Sequence, residues 1–106
     1  MKGDRLGEFE ELLLLALQAL GDRTYGVPVQ QHLEAMTGRR VSMGAVYAAL
    51  DRLEAKRLVT SAIGEATPVR GGKAKRLFNV TRLGREAALE ARKVRERLWR
   101  AIEDRR

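Results

Sequence analysis

The sequence predicts a mostly α protein with a small β-ribbon: a winged helix-turn-helix with a long C-terminal dimerisation helix. Three observations lead there. Three helical segments precede two short segments of strand character, and a further helix closes the chain. The connector between the strand segments is glycine-rich and basic. The last helix carries a narrow apolar seam that the rest of so short a chain has little room to cover. With 106 residues the chain has the length of one modest domain. Within it we divide a winged helix-turn-helix over residues 1–80 from a dimerisation helix over 81–106.

In the first helix Leu6, Phe9, Leu13, Leu17 and Leu20 recur at three- and four-residue steps, with Leu12 and Ala16 widening the face. Gly21-Asp22 ends it, with glycine expected as a left-handed cap. A second helix is predicted from about Tyr25 to Met36, with Pro28 early enough that its missing N–H does no harm. Val29, Leu33 and Met36 form its apolar stripe, and Thr37-Gly38 stops it. Ser42 then reads as the N-cap of a third helix whose buried stripe is Val46, Leu50 and Leu53. Met43, Gly44, Tyr47, Ala48 and Asp51 occupy its other side. Strands are predicted over Leu58 to Ile63 and Arg76 to Val80, joined by a connector too long for a tight hairpin. Thr81 can cap the last helix, whose apolar positions Leu83, Ala87, Ala91, Val94, Leu98 and Ile102 step by four, four, three, four and four.

Composition narrows the function. No apolar run approaches the roughly 20 residues that span a bilayer, and the acidic Glu8-Phe9-Glu10-Glu11 segment before Leu12 to Leu17 is unlike a secretory leader. A soluble, cytoplasmic protein is expected. Cysteine is absent, which removes disulfides, thiolate nucleophiles and Cys-based metal sites. His32 is the only histidine and is expected to be a solvated surface residue, so no metal site is assigned. Glu10-Glu11 and Glu103-Asp104 read as solvated helix charges rather than a catalytic pair with a raised pKa. Neither GxGxxG nor a Walker pattern accompanies the glycines. No enzymatic activity and no cofactor are expected.

The formal charge is +7 and the pI about 10.5, but the distribution says more. Between Gly38 and Arg85 eleven Lys and Arg face three acids, a net of +8, while the remainder nets −1. A concentrated positive region points to a polyanion. An α-helix fits the major groove of B-DNA and reads base edges with its N-terminal residues. Thr37-Gly38-Arg39-Arg40-Val41-Ser42 is the turn that makes the third helix the recognition helix, with Gly44, Ala45 and Ala48 small enough for close approach. Candidate DNA contacts are Arg39, Arg40, Ser42, Met43, Gly44 and Tyr47, and Arg70, Lys73, Lys75 and Arg76 of the basic connector. Tyr47 is expected on DNA, its alternative being a half-buried ring packed on the second helix. Arg52 and Lys56 read equally as DNA contacts or as a solvated helix side. The connector is either a phosphate-binding wing, which the four cations among residues 70–76 favour, or an exposed loop that is basic by chance.

These residues resemble the PadR family of transcriptional regulators. The resemblance is carried by Leu6-Gly7-Glu8-Phe9-Glu10-Glu11, Tyr25-Gly26, the run Val41-Ser42-Met43-Gly44-Ala45-Val46-Tyr47-Ala48-Ala49-Leu50-Asp51-Arg52-Leu53-Glu54, Arg70-Gly71-Gly72-Lys73-Ala74-Lys75-Arg76 and Thr81-Arg82-Leu83-Gly84. It implies a homodimer held by the C-terminal helix, bound to double-stranded DNA at a two-fold-related operator. It also implies repression that a small aromatic or toxic compound relieves in some members. Leu83, Ala87, Ala91, Val94, Leu98 and Ile102 are the expected dimer interface. Trp99 is either a dimer-packing residue or an effector contact that stacks on a flat ligand. Two departures stand out. Arg57 occupies the position where the family has glycine, so the turn there is either strained or built differently, and the single last helix marks a short form without a separate sensor domain. The rival reading is a winged helix used as a protein-interaction module, its cationic face meeting an acidic partner.

Overall fold

The computed structural model describes residues 6–64 and 74–105. In chain order the elements are α1 (Glu8–Leu20), α2 (Gly26–Thr37), α3 (Met43–Ala55), β1 (Val59–Ile63), β2 (Arg76–Val80) and α4 (Arg82–Glu103). The order and the fold class are those predicted: a mostly helical chain with one antiparallel two-stranded ribbon among the described residues. The strands pair Val59 with Val80 through Ile63 with Arg76. The ladder therefore stops where the basic connector begins.

Three helices, one face of the ribbon and the first turns of α4 share a single core. Val46, Leu50 and Leu53 bury the predicted stripe of α3, joined by Ala49, and Phe78 is the largest fully buried side chain. α1 is the central helix, touching α2, α3, α4 and β2. Its buried arc is accordingly wider than one stripe and takes in Leu14, while Leu20, expected on that face, is exposed in the last turn. In α2, Val29 and Leu33 are buried as expected, but Met36 is 73% exposed. The apolar stripe continues along α2 after the packed core has ended, so periodicity alone overstates its length.

The connections depart from the expected chemistry at two places. Gly21 closes α1 with φ 90° and ψ −173°, not the left-handed cap, a conformation essentially confined to glycine. The left-handed residue is Arg23, with φ 59°. Its N–H donates to Asn79 Oδ1 at 2.8 Å, and the Phe78 N–H donates to the Thr24 carbonyl at 2.7 Å. Thr24 thereby bridges to β2 and ties the α1–α2 connection to the ribbon, a contact between distant segments that local pattern does not announce.

The second place is the end of α3. The Arg57 N–H donates to the Glu54 carbonyl and the Leu58 N–H to the Leu53 carbonyl, at 3.0 and 2.9 Å. These paired bonds form a Schellman cap, whose left-handed position normally belongs to glycine. Here Arg57 holds it, with φ 64°, and the turn is built as usual around an unusual residue. Left-handed backbone costs an L-residue roughly 1–2 kcal/mol, partly offset because glycine loses more chain entropy on folding. Arg57→Gly is therefore expected to raise stability by about 0.5–1 kcal/mol, seen as a melting transition a few degrees higher. An unchanged or lower transition would mean that the Arg57 side chain itself contributes.

Thr81 caps α4 as expected, its Oγ1 accepting from the Gly84 N–H at 3.0 Å while its own hydroxyl donates to the Arg57 carbonyl at 2.8 Å. The two caps are thus bonded to each other. Gly84 and Ala88 are buried, Ala87 and Ala91 half-buried, and beyond them every residue of the helix is exposed. α4 leaves the core and projects, giving a molecule of 61 × 30 × 21 Å. No helix among the described residues is long and apolar enough to cross a membrane.

Candidate nucleic-acid interface

The turn between α2 and α3 is stapled before any partner arrives. Thr37-Gly38 ends α2 where the sequence placed its stop, and Gly38 closes it as a left-handed cap with φ 71°. The Val41 N–H then donates to Glu34 Oε2 and the Gln30 amide to the Val41 carbonyl, each at 2.8 Å. Both backbone groups of Val41 are held by α2, which sets the angle at which α3 departs. Ser42 caps α3 by accepting from the Ala45 N–H at 3.0 Å, and its hydroxyl proton stays available to an acceptor such as a phosphate oxygen.

The outward side of α3 is as small as the sequence suggested. Ser42, Gly44, Ala45 and Ala48 are exposed, and Met43 is half-buried. Arg39 and Arg40 lie exposed just before the helix, and neither guanidinium meets an acid among the described residues. An unpaired helix N-terminus flanked by two cations and floored by hydrogen and methyl groups suits the approach of a polyanion.

Tyr47 is packed along one side and exposed on the other. Its ring leans on Phe78 at 6.5 Å between centroids. Its hydroxyl lies against Gly26, where even a methyl group would come within 2.5 Å of it. The ring thus rests on the first turn of α2 while 37% of the residue stays exposed, so this packing leaves a face of Tyr47 open to a partner. The accompanying signal was the Tyr25-Gly26 pair: glycine at the start of α2 is the space Tyr47 fills.

Two cations assigned to the wing are engaged within the protein. Arg76 donates to Asp51 Oδ1 at 3.0 Å, to Glu54 Oε1 and to Ser61 Oγ, and it lies over the Phe78 ring. Burial disfavours its charged form, but the bonds to Asp51 and Glu54 outweigh that and raise its pKa. The Ser61 hydrogen bond, aided by Arg76 and opposed by burial, holds Glu54 below the usual carboxylate range. Lys75 places its ammonium 4.0 Å from the centre of the Tyr25 ring. The base of the ribbon is therefore fastened to α3 by Arg76 and to the start of α2 by Lys75. Arg70 and Lys73 lie outside the described residues.

Glu10 corrects the sequence reading outright. Expected as a solvated charge, it is 4% exposed. Its carboxylate accepts from the Gly7 N–H at 2.9 Å, Arg52 Nε at 2.9 Å and Lys56 Nζ at 2.7 Å. Arg52 and Lys56 thus serve first as the counter-charges of a buried acid. Two signals could have revealed it: an acid at the third position of α1, where a side chain reaches back to cap the helix, and two cations four residues apart on α3. Burial alone would raise the Glu10 pKa, but Lys56, the Gly7 N–H and Arg52 together lower it. A lowered folded pKa stabilises above the unfolded value of about 4.3 and loses that contribution as pH falls through the folded value. Glu10→Gln is expected to cost roughly 1–3 kcal/mol at neutral pH. It should also flatten the acid side of the curve of melting temperature against pH. Parallel curves for wild type and variant would mean that Glu10 does not titrate on unfolding.

His32 is half-buried rather than fully solvated, and no cluster of three or more potential metal ligands exists among the described residues. Beside the α2–α3 turn a groove of about 1100 Å³ opens, with Phe9, Leu12, Leu33 and Val41 in its wall and Arg39 and Arg40 at its rim. Along α4, Leu83, Val94, Leu98 and Ile102 of the seam are exposed, as is Trp99 at 66%.

Residues 13–90 match the family model described as the transcriptional regulator PadR-like family. No curated protein sequence matches the chain. Among solved structures, a PadR-like transcription factor from Bacteroides fragilis is 20% identical with a TM-score of 0.79, the match covering 96% of this chain and 93% of that one. A transcriptional regulator from Clostridium thermocellum is 20% identical with a TM-score of 0.71, covering 91% and 88%. A PadR-like transcriptional regulator from Bacillus cereus is 19% identical with a TM-score of 0.70, covering 91% and 88%. At these identities the structures speak for the fold.

Proposed function

Because the chain belongs to the PadR-like family of transcriptional regulators, we propose that it is a homodimeric repressor that reads a two-fold-related DNA operator with α3. The observation that carries the reading is the outward end of α3, where Ser42, Gly44, Ala45 and Ala48 form a small-residue surface beside Arg39 and Arg40, exposed and without an acidic partner among the described residues. Side chains of that size let the helix axis come close to base edges, and the two arginines hold the flanking phosphates. The basic connector, with Arg70 and Lys73, follows the backbone as the wing. Arg76 and Lys75 contribute by fixing where that wing begins.

The exposed seam Leu83, Val94, Leu98 and Ile102, with Ala87 and Ala91 beneath it, supports a second copy of α4 as its partner. A two-fold dimer would present two recognition helices to two half-sites. Relief by a small aromatic compound, implied by the family resemblance, has two places to act: the exposed Trp99 ring and the groove between α1 and the α2–α3 turn.

The test is a mobility shift on the DNA upstream of its own gene, repeated at several salt concentrations. The expected result is a discrete complex that weakens steeply as salt rises. Arg39→Ala with Arg40→Ala should weaken binding to all duplexes and reduce the slope of log affinity against log salt by about 2, at roughly 0.9 per phosphate contact. Lys73→Ala with Lys75→Ala should act in the same direction. Weak binding, equal on scrambled DNA, would overturn the repressor reading and favour an acidic protein partner for the same cationic face.

A further inference from the structure

Two consecutive acids in the first turns of α1 grip two different helices. Glu10 holds the C-terminal end of α3 through Arg52 and Lys56. Glu11, next to it, takes Arg95 of α4 in a bidentate pair, Nε and Nη2 donating to its two oxygens at 2.7 to 3.1 Å. Each pair joins segments more than 40 residues apart, and both start from one stretch of backbone. α1 itself is packed on α2 and α3, so its own position is not free.

We propose that Glu10 and Glu11 make the start of α1 a strut that transmits the position of α4 to the recognition helix, Glu10 and Glu11 being positioning residues for DNA binding. The inference rests on the DNA-binding reading above. Arg52 lies ten residues beyond Ser42, so the gripped end of α3 is about 15 Å from the end that faces DNA, at 1.5 Å per residue. Because α3 is packed in the core along its length, a displacement at Arg52 and Lys56 carries the outward end of the helix with it. In a dimer built on α4, the angle between the two projecting helices sets where each α1 sits, and each α1 sets its α3. The bidentate geometry matters because it fixes orientation as well as distance. The strut thus selects the separation of the two half-sites, while base recognition within one half-site is left to α3 itself.

The experiment begins with the wild-type full chain, which selects duplexes from a random pool and so defines a bipartite site and its spacing. Binding of Arg95→Glu, Glu11→Arg and the doubly exchanged variant is then measured on that duplex, on duplexes with altered spacing, and on a single half-site. Arg95 is exposed, so the change is expected to leave the fold intact, with melting curves as the check. Each single exchange is expected to lower affinity for the bipartite site by about fivefold or more, the lower range of measured couplings between sites. It should relax the spacing preference, leave the half-site unchanged, and be reversed in the double exchange. Single variants that bind the bipartite duplex like wild type overturn the proposal. So does an equal loss on half-site and bipartite site that the double exchange does not restore, since that is a general structural defect. Failure of the wild type to select any DNA would instead overturn the functional reading on which the strut depends.

Discussion

Gly84→Ala is expected to destabilise the protein by roughly 3 kcal/mol or more, combining overpacking with the loss of a buried backbone hydrogen bond. Gly84 is the third residue of α4 and lies directly on the chain entering β1. A Cβ there would stand 2.1 Å from the Leu58 carbonyl oxygen, 3.1 Å from its carbon and 2.8 Å from Val80 Cγ1. The obstacle is backbone, and that backbone is committed. The Leu58 carbonyl accepts from the Thr81 N–H at 3.0 Å, and the Leu58 N–H completes the cap of α3. Relief would have to lift the first turn of α4 off the ribbon, losing the Thr81 bond and uncovering Ala88. Circular dichroism melting should show a transition lowered by about 10 °C or more, at 4–8 °C per kcal/mol for a chain of this size. A shift of only a degree or two would show that α4 can ride higher on the sheet than its close approach suggests.

If α4 pairs with its own copy as proposed, Leu98→Glu is expected to give monomers in sedimentation where the wild type sediments as a dimer, with the melting of the protomer nearly unchanged. In the single chain Leu98 is 63% exposed and touches none of the core, so the substitution leaves the protomer intact. In a two-fold interface it occurs twice. Each copy forfeits about 1.5–3 kcal/mol of apolar burial, so the dimer constant should weaken by about a hundredfold or more, at tenfold per 1.4 kcal/mol. Repulsion between the introduced carboxylates adds to this. If α4 is the shared element, DNA affinity should fall with the dimer, since two linked half-sites bind far better than one. A dimer that survives the change would place the interface away from Leu98.

Much of the fold was legible because its signals are local. Ser42 and Thr81 cap their helices through hydrogen bonds to the third residue beyond, a contact that needs only the neighbouring chain. The bounds of β2, the stop of α2 at Thr37-Gly38 and the stripe Val46, Leu50, Leu53 follow from backbone geometry and helical period in the same way. Arg57 was singled out through the resemblance to a family that has glycine there, and the structure supplies the reason, a left-handed position in a Schellman cap. The candidate interface was partly legible too: Gly44, Ala45 and Ala48 lie outward because Val46, Leu50 and Leu53 lie inward.

Partner choice among charged and aromatic side chains was not legible. Sequence alone determined that the chain is a winged helix-turn-helix with its positive charge gathered in the middle. Only the tertiary structure decided which of those charges remain for a partner. Arg39 and Arg40 meet no acid among the described residues, whereas Arg76 is held by Asp51 and Glu54, Lys75 lies over Tyr25, and Arg52 and Lys56 enclose Glu10. Tyr47 likewise rests its hydroxyl on the start of α2 because Gly26, twenty-one positions away, leaves the space. The physical reason is common to all of these. A buried carboxylate must find its counter-charges and a ring its cavity in three dimensions, among segments tens of residues apart. Periodicity assigns each residue to a face, and packing then decides what that face meets.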